Sequence, residues 1–243
     1  MRKLSISLLL SVACIGGTVM AQTVEQGKQF LYYERYKSAQ DAFEKVLAAN
    51  PNNIDAVYWL GQTMIHRRDT RDTAGAKALY QKMLTTNGDA PLLLVGIGHV
   101  ELLYGNTTDS RQRFETAIKL TKEKDVNVLN AVGYANTDAK SGDANYAIQK
   151  LTMATETRRF DNAQTYLLLG DAYRKLLDGG NAVTNYQKAL GLDPKLAEAK
   201  MKIGIIYLTQ NNRDYFLPAF EEAIKMDPAY APAYHQLFIY WYS

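Results

Sequence analysis

Residues 162–194 read NAQTYLLLGDAYRKLLDGGNAVTNYQKALGLDP, and this stretch decides the fold. Tyr166, Leu169, Gly170 and Tyr173 recur at spacings of three and four, as do Ala182, Tyr186 and Ala189, so each set shares one face of a helix. Asp178-Gly179-Gly180 separates the two sets, and the two glycines are expected to supply the left-handed backbone of a tight turn. Pro194 follows the second helix. Neither apolar face can be hidden inside a lone hairpin, so the stretch needs neighbours of its own kind.

Outward from this hairpin, the same spacing recurs. Glycines fall at 27, 61, 98, 133, 170 and 204, and a helix-B aromatic or leucine falls in step at 43, 80, 114, 151, 186 and 220. Small residues precede the latter at Ala39, Ala76, Ser110, Ala147 and Ala182; Phe216 breaks that series and is expected to spread the last hairpin. Pro51, Pro194 and Pro228 end second helices, because proline disfavours helix at the residue before it. Extra residues fall at turns, within HRRDTRDTAG (66–75) and near Ser141-Gly142-Asp143, where added length costs little entropy. The Arg67–Asp72 run reads as a solvated loop. Glu101 and Asn136 stand where Phe30, Tyr173 and Tyr207 stand in other first helices. Tyr32, Tyr33, Tyr36 and Tyr58 are not explained by the repeat.

These positions resemble the tetratricopeptide repeat (TPR), W-x2-L-G-x2-Y, then A-x3-F-x2-A, then P. The resemblance implies an all-α fold, a right-handed α-solenoid of helix-turn-helix hairpins. The repeats fall at about 22–53, 54–90, 91–125, 126–162, 163–196 and 197–230, with a partial seventh at 231–243. That last segment is apolar to its end, Ile239-Tyr240-Trp241-Tyr242, which leads to the expectation that the natural chain continues.

Residues 1–21 are set apart. Arg2 and Lys3 precede an apolar run from Leu4 to Val12 and a small-residue site at Val19-Met20-Ala21, the pattern of a secretory signal peptide cut before Gln22. Removing it leaves 26 basic against 25 acidic residues, a balance that points to neither nucleic acid nor an anionic membrane. The single cysteine, Cys14, lies in this segment, so the mature chain has no disulfide or thiolate chemistry. Ser11-Val12-Ala13-Cys14 also resembles a lipobox, and lipidation at Cys14 is the alternative to simple cleavage.

The motifs of several enzyme classes are absent: no Walker loop, GxSxG elbow or HExxH occurs. Gly96-Ile97-Gly98 lies in an apolar helix pattern and follows no strand, so it reads as architecture and not as a dinucleotide loop. No metal-ligand spacing surrounds His66, His99 or His235, and no metal or cofactor is expected.

The resemblance further implies that first helices line a concave groove. The groove residues are then Tyr58, Gln62 and His66; Val95, His99 and Leu102; Asn130 and Tyr134; Asp171, Arg174 and Lys175; and Met201 and Ile205. Leu102, Leu103 and Leu208 read equally well as core between repeats. The Lys/Asn/Arg clamp for a C-terminal carboxylate is not matched. The expected function is non-enzymatic: an exported scaffold or adaptor of the bacterial cell envelope that takes a protein or peptide partner in the groove. The alternatives are a lipid-anchored outer-membrane assembly factor, or the recognition module of a larger enzyme or anchoring protein.

Overall fold

The computed structural model describes residues 23–158 and 160–242. The signal segment and Cys14 lie outside them. The described residues form thirteen helices and no strand: α1 Val24–Tyr32, α2 Tyr36–Ala49, α3 Ile54–His66, α4 Thr73–Asn87, α5 Pro91–Leu103, α6 Thr107–Leu120, α7 Val126–Asp138, α8 Ala144–Thr155, α9 Ala163–Lys175, α10 Gly179–Leu192, α11 Ala197–Thr209, α12 Arg213–Met226 and α13 Ala231–Tyr242. Consecutive helices pair into six antiparallel hairpins, and α13 stands after the last. The hairpins stack so that odd-numbered helices also touch one another, as α5 does with α3 and α7. The result is an all-α repeat solenoid.

Local chemistry starts and stops the helices. Thr23, Asn53, Asp72, Asp125, Asp143, Asn162 and Asp178 each accept a backbone N–H with the side chain at a helix N-terminus. Pro91 opens α5 at the position where a missing N–H costs nothing. Pro51, Pro194 and Pro228 follow the C-caps Asn50, Asp193 and Asp227.

The two periodic series are partners. A Cβ on Gly27, Gly61, Gly98, Gly133, Gly170 or Gly204 would come within 3.0 Å of Phe43, Tyr80, Phe114, Leu151, Tyr186 or Phe220, respectively. Glycine is required there because the bulky side chain of the second helix lies directly on the backbone of the first. Tyr80 is also covered from the next repeat, by Gly96. Both glycines of the 96–98 segment are thus spent on packing, Gly96 on Tyr80 and Gly98 on Phe114.

Two expectations are corrected. Gly179 and Gly180 do not provide left-handed backbone; they are the first two residues of α10. The left-handed residue is Leu177 (φ 62°). The α9 terminus sets that place: Leu177 N–H donates to Arg174 O and Asp178 N–H to Tyr173 O, both at 2.9 Å. Glu34, Gly105 and Asn211 occupy the same position after α1, α5 and α11. Gly179 serves instead as a close approach, since a Cβ would sit 3.1 Å from Ile206 of α11.

Phe216 does not spread its hairpin, because Gly204 still meets Phe220 as its counterparts do. Its fully buried ring turns toward α13 and meets Tyr240 edge-on at 4.8 Å. Glu101 and Asn136 are buried and satisfied. Glu101 takes Lys77 and Asn106 at 2.7 Å each; Asn136 donates to Val132 O (2.9 Å) and accepts from Asp143 N–H (3.1 Å), which pins the inserted turn. The 67–72 loop is largely exposed yet tied down: Arg67 bonds to Asp69 and Gln40, and Arg71 to Ile65 O. Phe238, Ile239, Trp241 and Tyr242 of α13 are exposed.

Candidate functional site

The first helices carry the predicted groove residues on one side of the solenoid, but the structure treats them unequally. Tyr58, Gln62, Val95, His99, Leu102, Asn130 and Met201 are buried. Val95 and Leu102 belong to the core between repeats, which decides the double reading of Leu102. His66, Tyr134, Asp171, Lys175 and Ile205 are half-buried, and Arg174 is exposed.

Several of these residues sit in a closed polar network. Tyr80 donates to Tyr58 O at 2.9 Å, and the Gln62 amide lies 3.2 Å from the Tyr80 hydroxyl and 3.2 Å from His99 Nδ1. His99 Nε2 donates to Asp138 Oδ2 at 2.9 Å. His66 Nδ1 lies 2.8 Å from Gln62 O, and its Nε2 lies 2.7 Å from the Tyr134 hydroxyl and 3.3 Å from Asp138 Oδ2. Burial lowers the His99 pKa, against the opposing pull of Asp138. Burial would raise the Asp138 carboxyl, but the hydrogen bonds of His66 and His99 outweigh it and hold the carboxyl well below the usual range. The network joins repeats two, three and four through side chains that the repeat pattern leaves free. Its hydroxyls are phenols, and no group of three or more His, Cys, Asp or Glu among the described residues is arranged to hold a metal ion.

The charged segment in repeat five is likewise engaged. Asp171 accepts from Tyr186 (2.9 Å) and from Lys202 of α11 (2.6 Å), with Arg174 at 3.8 Å. Lys202 also pairs with Glu198 at 3.0 Å. Burial would lower the Lys202 pKa, and the two carboxylates prevail and raise it. Lys175 donates to the carbonyls of Asn136, Thr137 and Ala139, capping the C-terminus of α7. Lys175, expected as a groove contact, is thus spent on the fold. Asn130 accepts from Thr165 at 2.8 Å in a buried bond between repeats.

Sequence reasoning missed the meeting of the chain's two ends. Tyr32 of α1 stacks on Tyr230, with ring centroids 4.8 Å apart and planes at 27°. Beside them Tyr33 donates to Asp227 at 3.0 Å across 194 residues. The curved array thus closes on itself. Behind this seam lies a cavity of about 570 Å³ walled by Tyr32, Glu34, Tyr36, Arg68, Tyr134, Glu198, Met201, Tyr230 and His235, with Leu31, Ala231, Pro232 and Gln236 at its edges. The available signal was the surplus of tyrosines at 32, 33 and 36 that the repeat did not need.

Comparison with known proteins agrees with this architecture. Residues 24–91 and 167–231, together more than half of the chain, match the tetratricopeptide repeat family. Over 67 residues the chain is 33% identical to human tetratricopeptide repeat protein 21B; that is 28% of this chain but only 5% of the relative. A human IFIT1 dimer with PPP-AAAA superposes with a TM-score of 0.59 at 14% identity, over 83% of this chain and 49% of IFIT1. A tetratricopeptide repeat protein of Parabacteroides merdae gives 0.56 at 16% identity, over 84% and 77% of the two chains. At these identities the solved structures speak for the fold alone. With its glycines seated against their bulky partners and the repeat matched in both halves, the chain belongs to the tetratricopeptide repeat family.

Proposed function

We propose that this protein is a non-enzymatic interaction scaffold of the bacterial cell envelope that binds a protein or peptide partner on its concave side. The observation that supports it most is the division of labour on that side. One set of residues, from Gln62 to Asp138 and from Asp171 to Lys202, is consumed in rigidifying contacts between repeats. Arg174 is exposed and a cavity of about 570 Å³ lies beside the seam, which leaves room for a ligand. A preorganised surface with a few unspent anchors binds peptides at low entropic cost. Placement in the envelope rests on the signal-like residues 1–21.

Affinity capture from envelope extract with the full-length chain tests the reading. A defined partner should be retained, and Arg174→Glu should weaken capture if that partner is acidic. Retention of no protein by a folded chain would refute it. The intact mass of the exported protein tests its location: an unmodified start at Gln22 is expected, and a lipid-bearing Cys14 would favour the anchored form.

A further inference from the structure

We propose that the seam cavity receives the cationic side chain, an arginine or a lysine, of a partner peptide. The inference rests on the reading of the chain as a peptide-binding scaffold and gives that site its chemistry. Four tyrosines, Tyr32, Tyr36, Tyr134 and Tyr230, supply aromatic wall from α1, α2, α7 and the turn before α13. Ring faces attract cations, most strongly where water is excluded. Two carboxylates, Glu34 and Glu198, share the wall. Glu198 commits only Oε1, to Lys202, and its Oε2 takes no hydrogen bond from the described residues. Tyr230 is 4% exposed and lines the cavity.

The charge balance selects the ligand. Arg68 is the one lysine or arginine of the wall, and it already lies 3.4 Å from Glu34. An anion would meet two carboxylates and a cation already paired. An apolar group would strip water from those carboxylates without replacing it. A guanidinium or ammonium pairs with the uncommitted oxygen of Glu198 and stacks on the rings. A volume of about 570 Å³ holds such a side chain with adjoining backbone.

The test is calorimetric titration of the full chain with a blocked pentapeptide carrying arginine at its centre and glycine elsewhere. The control has citrulline, which keeps the shape and loses the charge. The arginine peptide is expected to bind at least about tenfold more tightly than the citrulline peptide, as a desolvated cation–aromatic contact allows. Glu198→Gln should weaken it by a similar factor. Glu34→Gln, on an exposed turn where misfolding is not at issue, should weaken it to a smaller extent. Equal binding of the two peptides, or binding unchanged in both variants, would overturn the proposal. Partner capture that persists in a chain unable to bind the arginine peptide overturns the pocket and leaves the scaffold reading. Arginine-peptide binding by a chain that captures no protein does the reverse.

Discussion

The Tyr33 hydroxyl donates to the Asp227 carboxylate at 3.0 Å although 194 residues separate them. Together with the Tyr32–Tyr230 stack, this bond joins the first hairpin to the last. Because only a few contacts hold the two ends, the seam should open more easily than any hairpin. Tyr33→Phe should broaden the distance distribution between spin labels on α1 and α13 and lower global stability by less than about 1 kcal/mol, the usual worth of one hydrogen bond. An unchanged distribution would show that the bond does not hold the seam.

Tyr80 is clasped by Gly61 of its own hairpin and Gly96 of the next. A glycine-to-alanine change inside a helix ordinarily stabilises by about 1 kcal/mol. Gly96→Ala should do the opposite, costing about 1–3 kcal/mol through overpacking against the ring. Tyr80→Leu should relieve much of that added cost, so denaturant unfolding of the two single variants and the double variant should show strong coupling. Additive losses would contradict the clasp.

Tyr186 is fully buried and carries a hydrogen bond to Asp171. Tyr186→Ala should cost about 3–5 kcal/mol, the range for truncating a large aromatic in a core. A loss below about 1 kcal/mol in urea unfolding would be incompatible with its position.

Leu177 holds a left-handed backbone with its side chain 93% exposed. A non-glycine residue there bears about 1–2 kcal/mol of steric cost, partly offset by the greater entropy glycine loses on folding. Leu177→Gly should therefore raise stability by up to about 1 kcal/mol. A lower melting temperature would mean that the exposed leucine makes a contact worth more than the strain.

The His99 pKa is lowered by burial from its ordinary value of 6.5. The unfolded chain then binds a proton near that pH while the folded chain resists it, so stability is full above about pH 6.5 and declines as pH falls. Asp138, also held low, acts in the same direction below the ordinary carboxylate value of 3.8. His99→Gln should flatten the fall in unfolding free energy between pH 7 and 5, a slope of at most about 1.4 kcal/mol per pH unit for one proton. An unaltered slope would exclude His99 as its source.

Periodicity carried the architecture. The glycine series and the series of bulky helix-B residues ran in step through the whole array, and each glycine lies against its bulky partner. Such a pattern is legible because a repeat's contacts are local: a helix meets its own partner and its immediate neighbours, within a few tens of residues. The same locality misled at the turn, where composition pointed to Gly179 and Gly180 while the helix-terminating hydrogen bonds put the left-handed residue at Leu177.

The candidate site was legible only in part. The resemblance to the repeat family put Gln62, His99, Tyr134 and Asp171 in a groove, but it could not tell a free groove residue from one spent on its neighbours. Lys175 shows the difference, since its charge suggested a ligand contact and its ammonium caps α7. The sequence by itself determined the hairpins and their order, because those follow from spacing along the chain. Only the tertiary structure decided which polar groups bond to one another and that Tyr32 reaches Tyr230. Closure of a curved array depends on the small rotation added at every repeat, and no local pattern records that sum.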